Sequence, residues 1–89
     1  MKDDLFHAVA DRQRRFILAL LRGQPMYVSE IRSHLSVTAA TLSHHLDILK
    51  RADLVTAERH GRRIQYALNE PVFGRVLATI AEMFTLPSR

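Results

Sequence analysis

Residues 38–54 read TAATLSHHLDILKRADL, and their spacing predicts one helix with a sharp start. Thr38 is placed to cap it, its hydroxyl accepting from a backbone N–H two or three residues on. Val37 before the cap and Leu42 after it are placed to form a hydrophobic staple. Successive helical residues advance about 100°. With Leu42 at the centre of the buried side, His45, Leu46 and Leu49 fall beside it. Ala40, His44, Asp47 and Arg51 fall opposite, with Ala39, Ser43 and Lys50 on one flank. The outer N-terminal half is short-chained and weakly charged, a shape that enters a DNA major groove without steric conflict.

On the N-terminal side, Ser29 is placed to cap a short helix carrying Ile31 and Leu35, with a tight turn at Ser36-Val37 before Thr38. Upstream of that, Phe16, Ile17, Leu20 and Leu21 recur at helical spacing behind an Asp11 cap, and Gly23 and Pro25 end the helix. Leu5, Phe6 and Val9 imply a first short helix. Toward the C-terminus the period changes from helical to alternating. Ile64, Tyr66 and Leu68 alternate with Arg63, Gln65 and Ala67, Val55 to Arg59 form the partner strand, and His60-Gly61-Arg62 supplies the hairpin tip. Pro71 opens a last helix. The order is four helices, a hairpin and a helix. This is a mainly α fold with a β wing, a winged helix-turn-helix, in a single domain over 1–89 with the helix-turn-helix at about 29–52 and the wing at about 55–68.

The chain has 89 residues and no cysteine, so disulfides and thiolate metal sites are excluded, and oligomerisation is the remaining supplement to a small core. Lys and Arg outnumber Asp and Glu by 13 to 9, a balance that suits double-stranded DNA as partner. Met1-Lys2-Asp3-Asp4 leads into no apolar signal-peptide core, and there is no apolar run of about eighteen residues, so a cytoplasmic protein without a membrane partner is expected.

Within the expected DNA face, Ser43 and His44 are the candidates for base edges or phosphates, and Ala39, Ala40 and the Thr41 methyl for thymine methyl groups, behind the Thr38 cap. No Arg, Asn or Gln stands among these first positions to make a bidentate base contact, so phosphate contacts and DNA shape are expected to carry much of the binding. Arg59, His60, Arg62 and Arg63 surround Gly61, and long cations at a hairpin tip reach phosphates or an adjacent minor groove. Arg12, Arg14, Arg15 and Arg32 are further phosphate candidates that the sequence does not orient. The adjacent pair His44-His45 points about 100° apart and does not chelate one ion; His45 is expected at the core edge. His7, His34 and His60 are scattered. No metal or other cofactor is expected, and no effector is specified. No phosphate loop, paired carboxylates or nucleophile triad argues for an enzyme.

From Val72 to Leu86 only Arg75 and Glu82 are charged. A helix apolar nearly all round is buried, and a chain this short does not surround one alone. A second copy across a two-fold axis does. The expected dimer surfaces are about 4–10 and 71–86, with Leu5, Phe6, Val9, Phe73, Val76, Leu77, Ile80 and Phe84 as contact residues. Two reading helices about one DNA turn apart then face a roughly palindromic operator.

The stretch VSEIRSHLSVTAATLSHHLDILKRADLVTAERHGRRIQYAL, with LFHAVADRQRRFILALL before it, resembles the ArsR/SmtB family of winged-helix repressors over about residues 5–84. LSHHLDILKRADLV and the ending LNEPVFGRVLATIAEMF look most like its metal-independent, SdpR-type autorepressors. The resemblance implies a homodimeric transcriptional repressor that dimerises through the first and last helices. It also implies that Ala39, Ala40, Ser43 and His44 approach DNA and that Arg62 and Arg63 lie at the wing tip. The family's cysteine and Asp/His metal sites have no counterpart, so a repressor that does not respond to metal is expected. The alternative, a winged-helix protein-interaction module without DNA binding, calls for an acidic or neutral wing, and this wing is basic.

Overall fold

The structure is a computed structural model and describes residues 2–87. Its elements are α1 (Lys2–Ala10), α2 (Arg12–Gly23), β1 (Met26–Tyr27), α3 (Val28–Ser33), α4 (Ala39–Arg51), β2 (Val55–His60), β3 (Arg63–Leu68) and α5 (Glu70–Met83). The expected winged helix-turn-helix is present, with one addition. Met26 and Tyr27 pair antiparallel with Tyr66 and Gln65, giving a three-stranded sheet in the order β1-β3-β2. Two residues behind Pro25 carry no periodic signal; only their partner strand makes them a strand.

The helix starts follow local chemistry. The Asp11 carboxylate accepts from the Arg14 backbone N–H at 3.0 Å, and the Thr38 hydroxyl accepts from the Thr41 N–H at 3.1 Å. The expected Ser29 cap is incorrect. The third helix begins one residue before Ser29, and the Glu30 carboxylate reaches back to accept from the Tyr27 N–H at 2.8 Å. Pairing of Tyr27 in β1 places the helix start there.

The end of α4 is equally specific. Asp53 adopts φ 61°, in the left-handed region. Its N–H donates to the Lys50 carbonyl, and the Leu54 N–H donates to the Leu49 carbonyl, both at 3.0 Å. This is the Schellman arrangement, with the fully buried Leu49 and Leu54 as its apolar pair. At the hairpin tip Gly61 takes φ 65°, which lets His60 and Arg63 close the ladder opposite each other.

The core gathers Ile17, Leu18 and Leu21 of α2, Ile31 of α3, Leu42, Leu46 and Leu49 of α4, Leu54 and Val55, and Val72 and Val76 of α5. Beyond Val76 the last helix leaves the core. From Leu77 to Pro87 every residue except Ile80 is exposed. The Cα radius of gyration is 14.1 Å, above the roughly 12 Å of a compact chain of this length. No helix among the described residues is long and apolar enough to cross a membrane.

Candidate nucleic-acid interface

Helix α4 buries Leu42, His45, Leu46 and Leu49. Thr38, Ala39, Ala40, Thr41, Ser43 and His44 are all exposed, as the helical spacing requires. Near its C-terminus Arg51 pairs with Asp47 at 2.8 Å, leaving the N-terminal half as the face free of long charged side chains.

A cleft of about 760 Å³ runs between α3, α4 and the wing. Ala39 and Ser43 stand on one wall, and Arg62 and Arg63 on another. Two parts of the chain separated by the end of α4 and by β2 thus share one concave surface. Ala40, Thr41 and His44 lie outside this cleft, on the outer face of α4. The α3 wall contributes Ser29, Arg32 and Ser33. Of the four unoriented arginines, Arg32 is the one that joins the recognition helix and the wing. Neither Ser29 nor Ser33 had a sequence signal for this place in the cleft wall, because their position against the wing is set by tertiary packing.

The three wing arginines are not equivalent. Arg62 is exposed at the tip. Arg59 donates to the Gly61 carbonyl at 3.2 Å, which bends it along the turn. Arg63 stacks over the Tyr27 ring, 3.5 Å from its centre. His60 meets Glu58 at 3.3 Å and the edge of the Tyr27 ring.

Arg14 and Arg15 do not face phosphate as free cations. Arg14 is 6% exposed. Its Nε donates to the Ala8 carbonyl at 2.9 Å and its Nη2 to the His7 carbonyl at 2.8 Å. Arg15 Nη1 donates to the Val9 and Ala10 carbonyls, both at 2.9 Å. Two consecutive guanidinium groups therefore satisfy the last four carbonyls of α1, where the helix dipole is negative. Arg12 is exposed beside Gln13, Arg15, Phe16 and Leu35.

His45 is buried within the core face of α4, also at 6% exposure. Its Nδ1 lies 3.2 Å from Arg14 Nη1, and its Nε2 lies 2.8 Å from the Gln13 Oε1. Guanidinium only donates, so Nδ1 accepts and the proton sits on Nε2, donated to Gln13. Burial lowers the His45 pKa below the ordinary 6.5. The nearby Arg14 and His44 lower it further, and the Asp11 carboxylate opposes them. Among the described residues no buried side-chain nitrogen or oxygen lacks a partner, and no three His, Cys, Asp or Glu side chains gather as a metal site.

The expected dimer residues divide. Val76 is buried within the chain's own core, at 3% exposure, so it supports that core rather than an outer surface. Leu5, Val9, Phe73 and Ile80 are half-buried against the same core, and Arg22 covers the Phe73 ring at 5.5 Å. Phe6, Leu77 and Phe84 are exposed, with Met83 and Leu86 beside them in the chain. The helix stops at Met83, short of the expected 86, and Phe84 forms its C-cap.

The family model described as "Bacterial regulatory protein, arsR family" matches residues 11–57, which span α2, the helix-turn-helix and the start of the wing. The chain is 40% identical over 70 residues to the transcriptional repressor SdpR of Bacillus subtilis, covering 79% of this chain and 78% of that one. It is 35% identical over 80 residues to the HTH-type transcriptional regulator CmtR of Mycobacterium bovis, covering 89% of this chain and 67% of that one. A crystal structure of an ArsR family transcriptional regulator superposes with a TM-score of 0.83 at 27% identity, covering 91% of this chain and 89% of that one. Sequence, fold and the exposed face of α4 agree: this chain belongs to the ArsR family of bacterial regulatory proteins.

Proposed function

We propose that the protein is a homodimeric, sequence-specific DNA-binding repressor that lays α4 in the major groove and the β2–β3 tip on the backbone or in the adjacent minor groove. One observation carries this reading. The small exposed side chains of Ala39 and Ser43 and the cations Arg62, Arg63 and Arg32 line one cleft, which combines groove fit with phosphate attraction. The exposed apolar end of α5 supports a second copy, and with it a roughly palindromic operator. The donor set supports a repressor without a resident metal, since the chain has no cysteine; added Zn²⁺, Ni²⁺ or Cu⁺ leaves its DNA affinity unchanged.

The test compares variants on a selected operator and on random DNA. Ser43→Ala and His44→Ala are expected to lower the ratio of specific to non-specific binding by about 1–3 kcal/mol for a lost base contact, with a small change in salt slope. Arg62→Ala weakens both DNAs alike. Equal losses on both DNAs for the Ser43 and His44 variants, with Arg62→Ala unaffected, would mean that the domain docks the other way round.

A further inference from the structure

The link between Arg14 and His45 joins three helices. Arg14 leaves α2, holds the α1 carbonyls of His7 and Ala8, and donates to His45 on the buried side of α4. Gln13, also of α2, takes the other ring nitrogen. Recognition helix and first helix are therefore tied through one imidazole, adjacent in sequence to His44 on the outer face.

This tie depends on the charge state of the ring. In the neutral ring Nδ1 offers a lone pair to Arg14. A proton taken from solvent occupies that lone pair, so an N–H and a positive charge face the guanidinium N–H 3.2 Å away. Two donors then oppose each other, and two cations share a buried site. The ionisable groups acting on the ring are Asp11, with Oδ2 3.9 Å from Nε2, Arg14, and His44, with ring centres 6.3 Å apart. Asp11 favours the protonated ring, but it is on the Nε2 side and does not relieve the clash at Nδ1.

We propose that the Arg14–His45 contact is a proton-sensitive positioning link: with His45 neutral it holds α4 against α1 and α2 for DNA, and with His45 protonated it opens and operator affinity falls. This rests on the DNA-binding reading above. The sign follows from linkage. The lowered pKa of the linked form means that the opened form binds the proton more tightly. Falling pH therefore drives opening, beginning as pH drops through the ordinary histidine value of 6.5.

His45→Gln is the informative variant. A glutamine amide accepts from Arg14 through oxygen and donates to Gln13 through nitrogen, and it does not titrate. Both proteins carry His44→Ala, which removes the neighbouring imidazole from the proposed DNA face, and each is compared with itself. Between about pH 7.5 and pH 5.5 the protein with His45 is expected to lose operator affinity by more than about twofold and at most about tenfold, the ceiling that linkage sets for an opened ring of ordinary pKa, while the His45→Gln protein changes by less than about twofold. His7, His34 and His60 are common to both and cancel. A second readout needs neither DNA nor the glutamine variant. In the His44→Ala protein, NMR titration of the His45 ring is expected to coincide with shifts of the Ala8–Ala10 and Leu42–Leu46 amides. Equal pH trends with and without His45, or protonation of His45 that leaves those amides unmoved, overturn the link. A wild-type protein that selects no duplex at neutral pH, with the coupled titration present in the His44→Ala protein, overturns the DNA-binding reading and supports the link.

Discussion

The guanidinium of Arg63 lies 3.5 Å from the centre of the Tyr27 ring, so the second wing strand is clamped onto the junction between β1 and α3. Its neighbour Arg62 has no such seat. Adjacent arginines of one wing therefore have different work, and their substitution separates stability from binding. Arg62→Ala is expected to leave the melting temperature unchanged and to weaken DNA binding, with the salt slope falling by about one unit per lost phosphate contact in each subunit. Arg63→Ala is expected to cost about 0.5–1 kcal/mol of stability as well, the worth of an exposed cation–π pair. Tyr27→Leu reproduces the stability loss and Tyr27→Phe does not; denaturant melts decide this.

The exposed end of α5 makes the dimer testable without damaging the protomer. Phe84 is 83% exposed and Leu77 49% exposed, whereas Ile80 packs half-buried against the core. Phe84→Glu and Leu77→Glu are expected to shift sedimentation toward monomer and to weaken operator binding without changing near-UV dichroism. Ile80→Glu is expected to lower stability too, because it buries a charge in its own protomer. A wild type that sediments as a monomer at micromolar concentration contradicts the dimer.

Asp53 holds a left-handed conformation that glycine adopts without a Cβ penalty. Asp53→Gly is expected to raise stability by about 0.5–1 kcal/mol, since the Schellman bonds are retained and the strain is removed. For a domain of this size that is a rise in melting temperature of about 2–8 °C. Asp53→Val is expected to move the other way.

Asp11 supplies an acid-sensitive part of the stability. Its carboxyl is held below the ordinary 3.8, first by the Arg14 backbone N–H, with burial opposing and the Arg14 charge assisting. A depressed carboxylate contributes fully above pH 3.8 and loses its contribution as pH falls through the lower folded value. Asp11→Ala is expected to cost about 1 kcal/mol near neutral pH, and the gap between the two proteins should close in strong acid. Urea titrations across that range measure it.

Periodicity and capping chemistry were enough to place α2, α4, the wing and α5. Each of these carries its own signal: a polar cap, an apolar stripe at helical or alternating spacing, a glycine at the tip or a proline in the first turn. The exposed face of α4 followed from the same geometry. Other features required the assembled fold. β1 is a strand only because β3 lies beside it, and pairing at Tyr27 moved the start of α3 away from Ser29. Arg14, Arg15 and Arg32 look alike in sequence. Tertiary packing brings the α1 carbonyls to the first two and the wing to the third. His45 was legible as an inward residue, but its partners stand 31 and 32 positions away. Local sequence sets the direction in which a side chain leaves its helix; what waits there, a carbonyl, an open cleft or another cation, depends on how distant elements pack.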